Sequence, residues 1–348
     1  MTAWQSLVAA SAALLLPAVA SLAESAPKCE LQQIDEWPVR LLGNRVIVDG
    51  TANGQLITLL LGTGAQQSLM MRAAAQRLQL NREWTRGFPL FGLGGESRSE
   101  TVTVNELGLG RFAFRGWQLQ VPIDQQFGDD FEMVLGEDFF ANVDVEFDLA
   151  HGAVRLFVTQ GNCDGESLAY WAPDGAAEVA IERVFRARPQ ILLPVRVNGQ
   201  PVRALLDTGA TVSVLALRDA RDAGLTPETA GVAASGRLAA IGAEPVQLWA
   251  GSLTSFAVAG KEHHDVAIRF GDLYRNVRYS LTGSHVPYRA GPEQPMLLGV
   301  DFLRSHRVLV AHSQQKVYLT PVGGTAFEAG DGVSPASAWV GGSMPGLR

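Results

Sequence analysis

The chain repeats itself, and the register of that repeat limits what it can fold into. Asn53-Gly54-Gln55 returns as Asn198-Gly199-Gln200, and Leu61-Gly62-Thr63-Gly64-Ala65 returns as Leu206-Asp207-Thr208-Gly209-Ala210, both 145 residues later. The spacing holds through Ser68 and Ser213, Met70 and Leu215, and Leu80 and Leu225. A second block, Val134-Leu135-Gly136-Glu137-Asp138-Phe139, returns as Leu297-Leu298-Gly299-Val300-Asp301-Phe302 after 163 residues. Val145 and Val308, Val154 and Val317, and Leu156 and Leu319 keep the second spacing. A register kept over so many positions marks a duplicated unit, so the chain must build one fold twice. The step from 145 to 163 places a longer insertion in the second copy.

Each copy reads as short strands. Val46-Ile47-Val48 and Leu193-Pro194-Val195-Arg196-Val197 run into Asn-Gly, a strong hairpin signal because both turn residues accept positive φ. The returning strand ends at Gly62 in one copy and Asp207 in the other. Met71 to Leu78 has the composition of a short helix. Further strands are expected at Thr101 to Leu107, Trp117 to Val121, Val246 to Ala250 and His264 to Phe270. The expectation is a mostly β protein of two lobes with short helices.

At 348 residues and 47% apolar, the chain exceeds the size at which one core stops growing. Its formal net charge is −7, without a Lys/Arg-rich run, which argues against nucleic acid as a partner. Leu7 to Ala20 is apolar and short for a membrane span, and small-residue sites follow it at Ala18-Val19-Ala20 and Ser21-Leu22-Ala23. Residues 1–23 are therefore expected to be a signal peptide of a periplasmic or secreted protein, with no stable membrane span after cleavage. The lack of Lys or Arg in Met1 to Ser6 keeps an uncleaved anchor or a buried helix as the alternative. Cys29 and Cys163 suit a bridge in an exported protein, with two unpaired thiols as the alternative. Neither cysteine has a neighbour at metal-ligand spacing, and His263-His264 reads as a surface turn, so no metal and no cofactor are expected. Residues 28–160 and 191–320 are the expected lobes, 161–190 a Gly- and Pro-rich linker, and 321–348 a disordered tail.

An aspartate leaving a strand into Thr-Gly is held at the tip of a tight loop, which glycine permits. Asp-Thr-Gly alone is a weak signal. Joined to the apolar-apolar-Gly block and to an internal copy of both, it is strong. Over about Val46 to Leu319 the chain resembles the retropepsin-like aspartic proteases, in the two-lobe layout of the pepsin-like enzymes. The resemblance implies two acid-protease β-barrel lobes and a peptide or protein substrate. Asp207 matches the catalytic acid, Thr208, Gly209 and Ala210 its loop, and Gly299 the supporting strand. Gly62, Thr63, Gly64, Ala65 and Gly136 form the partner loop, degenerate because Gly62 replaces the acid. Phe91, Gly92, Gly94 and Gly95 resemble a flap that closes over substrate, and Ile241 and Gly242 a poorer one.

Two carboxylates normally share one proton in such a site, one acting as base and the other as acid. With Gly62 in the partner position, the expectation is an exported aspartic endopeptidase with impaired activity, or one completed by pairing two Asp207 lobes in a homodimer. A peptide-binding pseudoprotease is the alternative. Asp138 and Asp301 are expected to cap the short helices that begin beside them.

Overall fold

The computed structural model describes residues 28–84, 90–124, 130–182, 190–280, 287–289, 295–327 and 341–342. The signal-peptide expectation for residues 1–23 lies outside them. Both Asn-Gly turns form as the sequence requires, with φ of 51° and 78° at Asn53 and Gly54, and 47° and 77° at Asn198 and Gly199. They join Arg45–Ala52 to Gln55–Leu61 in the first lobe and Leu192–Val197 to Gln200–Leu206 in the second.

Each lobe is one sheet that curls until it meets itself. In the first, Arg45–Ala52 pairs both with its hairpin partner and with Ser99–Leu109; in the second, Leu192–Val197 pairs likewise with Val246–Val258. Closure leaves the apolar faces inside, where Ile47, Leu59, Leu61, Val104 and Leu119 of one lobe and Val197, Leu206, Phe256 and Phe270 of the other are at most 1% exposed. The short helices Arg72–Arg77 and Leu217–Asp222 follow the Thr-Gly-Ala loops at matched positions.

A third sheet joins the lobes. Its six strands run Glu30–Pro38, Ala153–Gln160, Asp144–Asp148, His306–Ala311, Lys316–Pro321 and Ala177–Ala180, and the central pair takes one strand from each repeat. Arg155 and Arg307 lie across that seam and both bind Glu146, at 2.6 and 3.0 Å. Glu146 is fully buried, so the two guanidiniums supply its compensation.

Residues 161–182, expected as a linker, are a folded part of this layer. Cys163 and Leu168 pack on Phe157, Leu309 and Tyr318; Trp171 donates its indole N–H to Thr320; and Ala177–Ala180 forms the sheet's last strand. Their small and apolar side chains find a surface only once the two repeats have joined. Cys29 and Cys163 form a disulfide that ties the strand entering the first lobe to this layer, closing a loop of 134 residues. The tail expectation is corrected at its described pieces: Phe327 is 3% exposed among Phe256, His263 and Phe302, and Gly341–Gly342 pairs with Leu90–Gly92.

His263-His264 is also corrected, because the turn sits at Ala259-Gly260 and both histidines belong to the strand Lys261–Gly271. His263 packs against His306, whose ring stacks on Phe302 at 4.3 Å. Burial pushes both imidazoles below their ordinary range, and each also has another histidine nearby. A lowered folded-state pKa leaves stability intact above about pH 6.5 and removes it as the unfolded chain takes up protons below that. Burial acts oppositely on Asp138, Asp144 and Asp301, whose raised carboxyls favour folding at acid pH. The histidine effect is therefore read as a difference: in thermal melts, His263→Phe should gain on the wild type below pH 6.5 and not above it. Parallel curves across that range would exclude the effect.

Candidate active site

The two Thr-Gly-Ala loops meet at the seam. Gly62 and Asp207 hold equivalent places, because the Gly62 N–H donates to Leu135 O at 2.9 Å and the Asp207 N–H to Leu298 O at 3.0 Å. The strands behind them are also matched: Met133–Leu135 runs parallel to Gln55–Leu61, and Met296–Leu298 parallel to Gln200–Leu206. Gly136 and Gly299 must be glycine, since a Cβ on either would meet the loop backbone at 2.7 to 2.8 Å.

Thr63 and Thr208 lock the lobes together. The Thr63 hydroxyl donates to Leu206 O (2.8 Å) and accepts from the Thr208 N–H (3.0 Å). The Thr208 hydroxyl donates to Leu61 O (2.7 Å) and accepts from the Thr63 N–H (3.1 Å). Both threonines are fully buried, so water does not compete for these four bonds. Buried Asn44 adds a fifth link by donating its side-chain amide to Thr211 O at 3.0 Å.

Asp207 occupies the centre and is fully buried. Its Oδ1 accepts the N–H of Gly209, in its own loop, at 2.8 Å and the N–H of Gly64, in the other, at 3.1 Å. The single carboxylate thus collects one amide from each lobe. Gly64 has to be glycine, because a Cβ there would overlap the Asp207 carboxylate. At Gly62 a Cβ would lie 2.9 Å from Val134 Cγ1, so the space for a second side chain is partly filled.

Asp138 and Asp301 do not cap the short helices as expected, because each lies one residue inside its helix. Gly136 and Gly299 hold the N-cap positions with no side-chain cap bond. The Asp138 carboxylate accepts the Ser68 hydroxyl and N–H, and Asp301 those of Ser213, while each serine hydroxyl accepts the N–H of Gly136 or Gly299. Each also accepts the amide of the next residue, at Phe139 and Phe302. These bonds fasten each loop to its supporting strand. The repeat register shows Ser68 and Ser213 as a matched pair but not this role, which needs the folded crossing of loop and strand.

The glycine-rich segments form two hairpins that touch. Phe91, Gly92 and Gly95 belong to the pair Leu90–Gly92 and Gly95–Ser97. At their tips Gly94 donates its N–H to Ile241 O at 2.8 Å, and a Cβ on Gly242 would overlap the Gly94 backbone. Leu93, 1% exposed, leaves its own lobe and packs in the cluster that holds Ala210, Val214 and Leu297. The Ile241-Gly242 segment, the weaker flap in sequence, meets the first as an equal partner.

Residues 193–302 match the family described as "Aspartyl protease", and residues 48–142 that described as "gag-polyprotein putative aspartyl protease". No curated protein matches the chain. Among solved structures, an aspartic proteinase from Irpex lacteus is 12% identical, covering 86% of this chain and 98% of its own, with a TM-score of 0.46. A retropepsin-like aspartic protease from Rickettsia conorii is 16% identical over 39% of this chain and 97% of its own, with a TM-score of 0.27. One family description falls on each copy, and each copy has the strand, loop and supporting-strand order predicted from the repeat: the chain belongs to the retropepsin-like aspartic proteases.

Proposed function

We propose that this protein is an exported aspartic-type endopeptidase that acts on extended peptides between its lobes, with Asp207 as the base that activates water. The observation that carries the reading is the Asp207 carboxylate, aimed across the lobe seam by the amides of Gly209 and Gly64. A carboxylate held by two fixed donors has a set direction, which a positioned base requires. The water loses a proton to Asp207 as its oxygen attacks the scissile carbonyl, whose π electrons move onto the carbonyl oxygen. As they return, the C–N bond breaks and Asp207 gives the proton to the leaving amine, so no covalent enzyme intermediate is needed. Gly62 supplies no second side chain, so turnover is lower than a matched pair of aspartates would give.

The four threonine bonds favour a site made within one chain. Pairing two Asp207 lobes from different chains would require breaking all four, so specific activity should not change on dilution. Asp207→Asn preserves the shape and should abolish cleavage of an unstructured protein, with a loss of at least about 10²-fold. If the wild type cleaves no peptide at any pH but binds a statine-type transition-state mimic, the pseudoprotease reading replaces this one.

A further inference from the structure

Within the two matched blocks, Leu61 to Ala65 with Leu206 to Ala210 and Val134 to Phe139 with Leu297 to Phe302, the repeats differ in acidity at two positions, not one. The first lobe lacks the carboxyl at Gly62 that the second has at Asp207, and it carries Glu137 where the second has Val300. Both differences belong to one structural unit. Gly62 donates to Leu135 O, while the Glu137 N–H donates to Ala65 O at 2.8 Å, beside the Gly64 amide that holds Asp207.

The Glu137 side chain is fully buried, and neither carboxyl oxygen has a hydrogen-bond partner among the described residues. Val300, in the matched place, is equally buried and has nothing to satisfy. A buried carboxyl without hydrogen bonds is costly, and such groups concentrate where a protonation state matters. Three ionisable groups act on it. Asp138 stands on its own helix, the charge of Asp207 acts on it from the other lobe, and His312 Nε2 approaches Oε2 to 3.7 Å from the turn after His306–Ala311.

We propose that Glu137 is the second carboxyl of this site, a positioning residue that holds the proton a matched pair of aspartates would share. Burial first, then the charges of Asp138 and Asp207, push its carboxyl well above the ordinary range. Glu137 therefore keeps its proton while Asp207 is charged, and the two together carry one proton and one negative charge. When Glu137 ionises, a second negative charge arises beside the loop that holds Asp207 and the site loses that state. Only this last consequence, for peptide chemistry, rests on Asp207 being the hydrolytic base.

The coupling is tested without turnover. The Glu137 carboxyl is followed through a pH titration by carbon NMR of the full chain, with its resonance identified by its loss in Glu137→Gln. In Asp207→Asn its midpoint should fall by at least about one pH unit, since a coupled neighbour has lost its charge. Superimposable curves in the wild type and Asp207→Asn overturn the proposal. A second measurement is the pH dependence of binding a statine-type inhibitor. The alkaline limb should disappear in Glu137→Gln and in Glu137→Val, the second-lobe residue, while a limb retained in both would assign Glu137 a structural role only. If the midpoint shifts but no variant binds inhibitor or cleaves peptide, the endopeptidase reading fails and the coupling stands.

Discussion

Gly62→Asp combined with Val134→Leu is expected to raise kcat/KM for peptide cleavage by about 10²- to 10⁴-fold, the usual contribution of a positioned acid or base. The second substitution is needed for a steric reason. The new Cβ would lie 2.9 Å from Val134 Cγ1, on a side chain that is fully buried and branched at its β-carbon. The second lobe pairs its aspartate with Leu297 at the equivalent position, where the branch lies one carbon further out. Gly62→Asp alone should overpack the strand crossing, costing about 1–3 kcal/mol of stability. It should also give less activity than the pair. In the double variant the Gly64 amide can pass to the new aspartate, leaving Asp207 its own Gly209 donor, as a symmetric site would divide them. Peptide cleavage and thermal melts of the wild type, both single variants and the double variant test this together. A folded double variant no faster than the wild type would mean that the site does not lack an acid.

Thr208→Val should destabilise the protein by about 2–6 kcal/mol. The valine keeps the shape but leaves the Leu61 carbonyl and the Thr63 amide without their partner, and each unsatisfied buried group costs about 1–3 kcal/mol. That is a large share of the ~5–15 kcal/mol that holds a typical domain folded. Thr63→Val should act similarly through Leu206 and Thr208. Because these bonds cross the seam, the losses should appear as earlier separation of the lobes, with a transition that becomes less steep in urea as well as lower in midpoint. Equilibrium urea unfolding, followed by tryptophan fluorescence, measures both. A loss below about 1 kcal/mol for Thr208→Val would show that water replaces the hydroxyl at the seam.

Much of the architecture was legible because duplication writes the same local pattern twice. The Asn-Gly turns at 53–54 and 198–199, the strands leading to Gly62 and Asp207, and the supporting blocks at Gly136 and Gly299 follow from residue type and spacing. The interlobe layer was harder to read. Residues 161–182 and Phe327 have compositions that suggest a linker and a tail, yet they pack on strands supplied by both repeats. His263 was misplaced for a related reason: Gly260 takes the turn, and the partners that bury the histidine come from distant segments.

The sequence by itself determined that there are two copies of one β unit, that the acid of one loop is present at Asp207 and absent at Gly62, and which glycines let each loop turn. These follow from covalent order and local backbone freedom. Only the tertiary structure decided how the loops meet: that Thr63 and Thr208 exchange four bonds, that Gly64 gives its amide to Asp207, that Val134 fills space beside Gly62, and that Glu137 lies buried beside the Thr63-Gly64-Ala65 loop. Each of these depends on atoms distant in sequence sharing a few ångströms at the seam between lobes, a proximity that spacing along the chain does not encode.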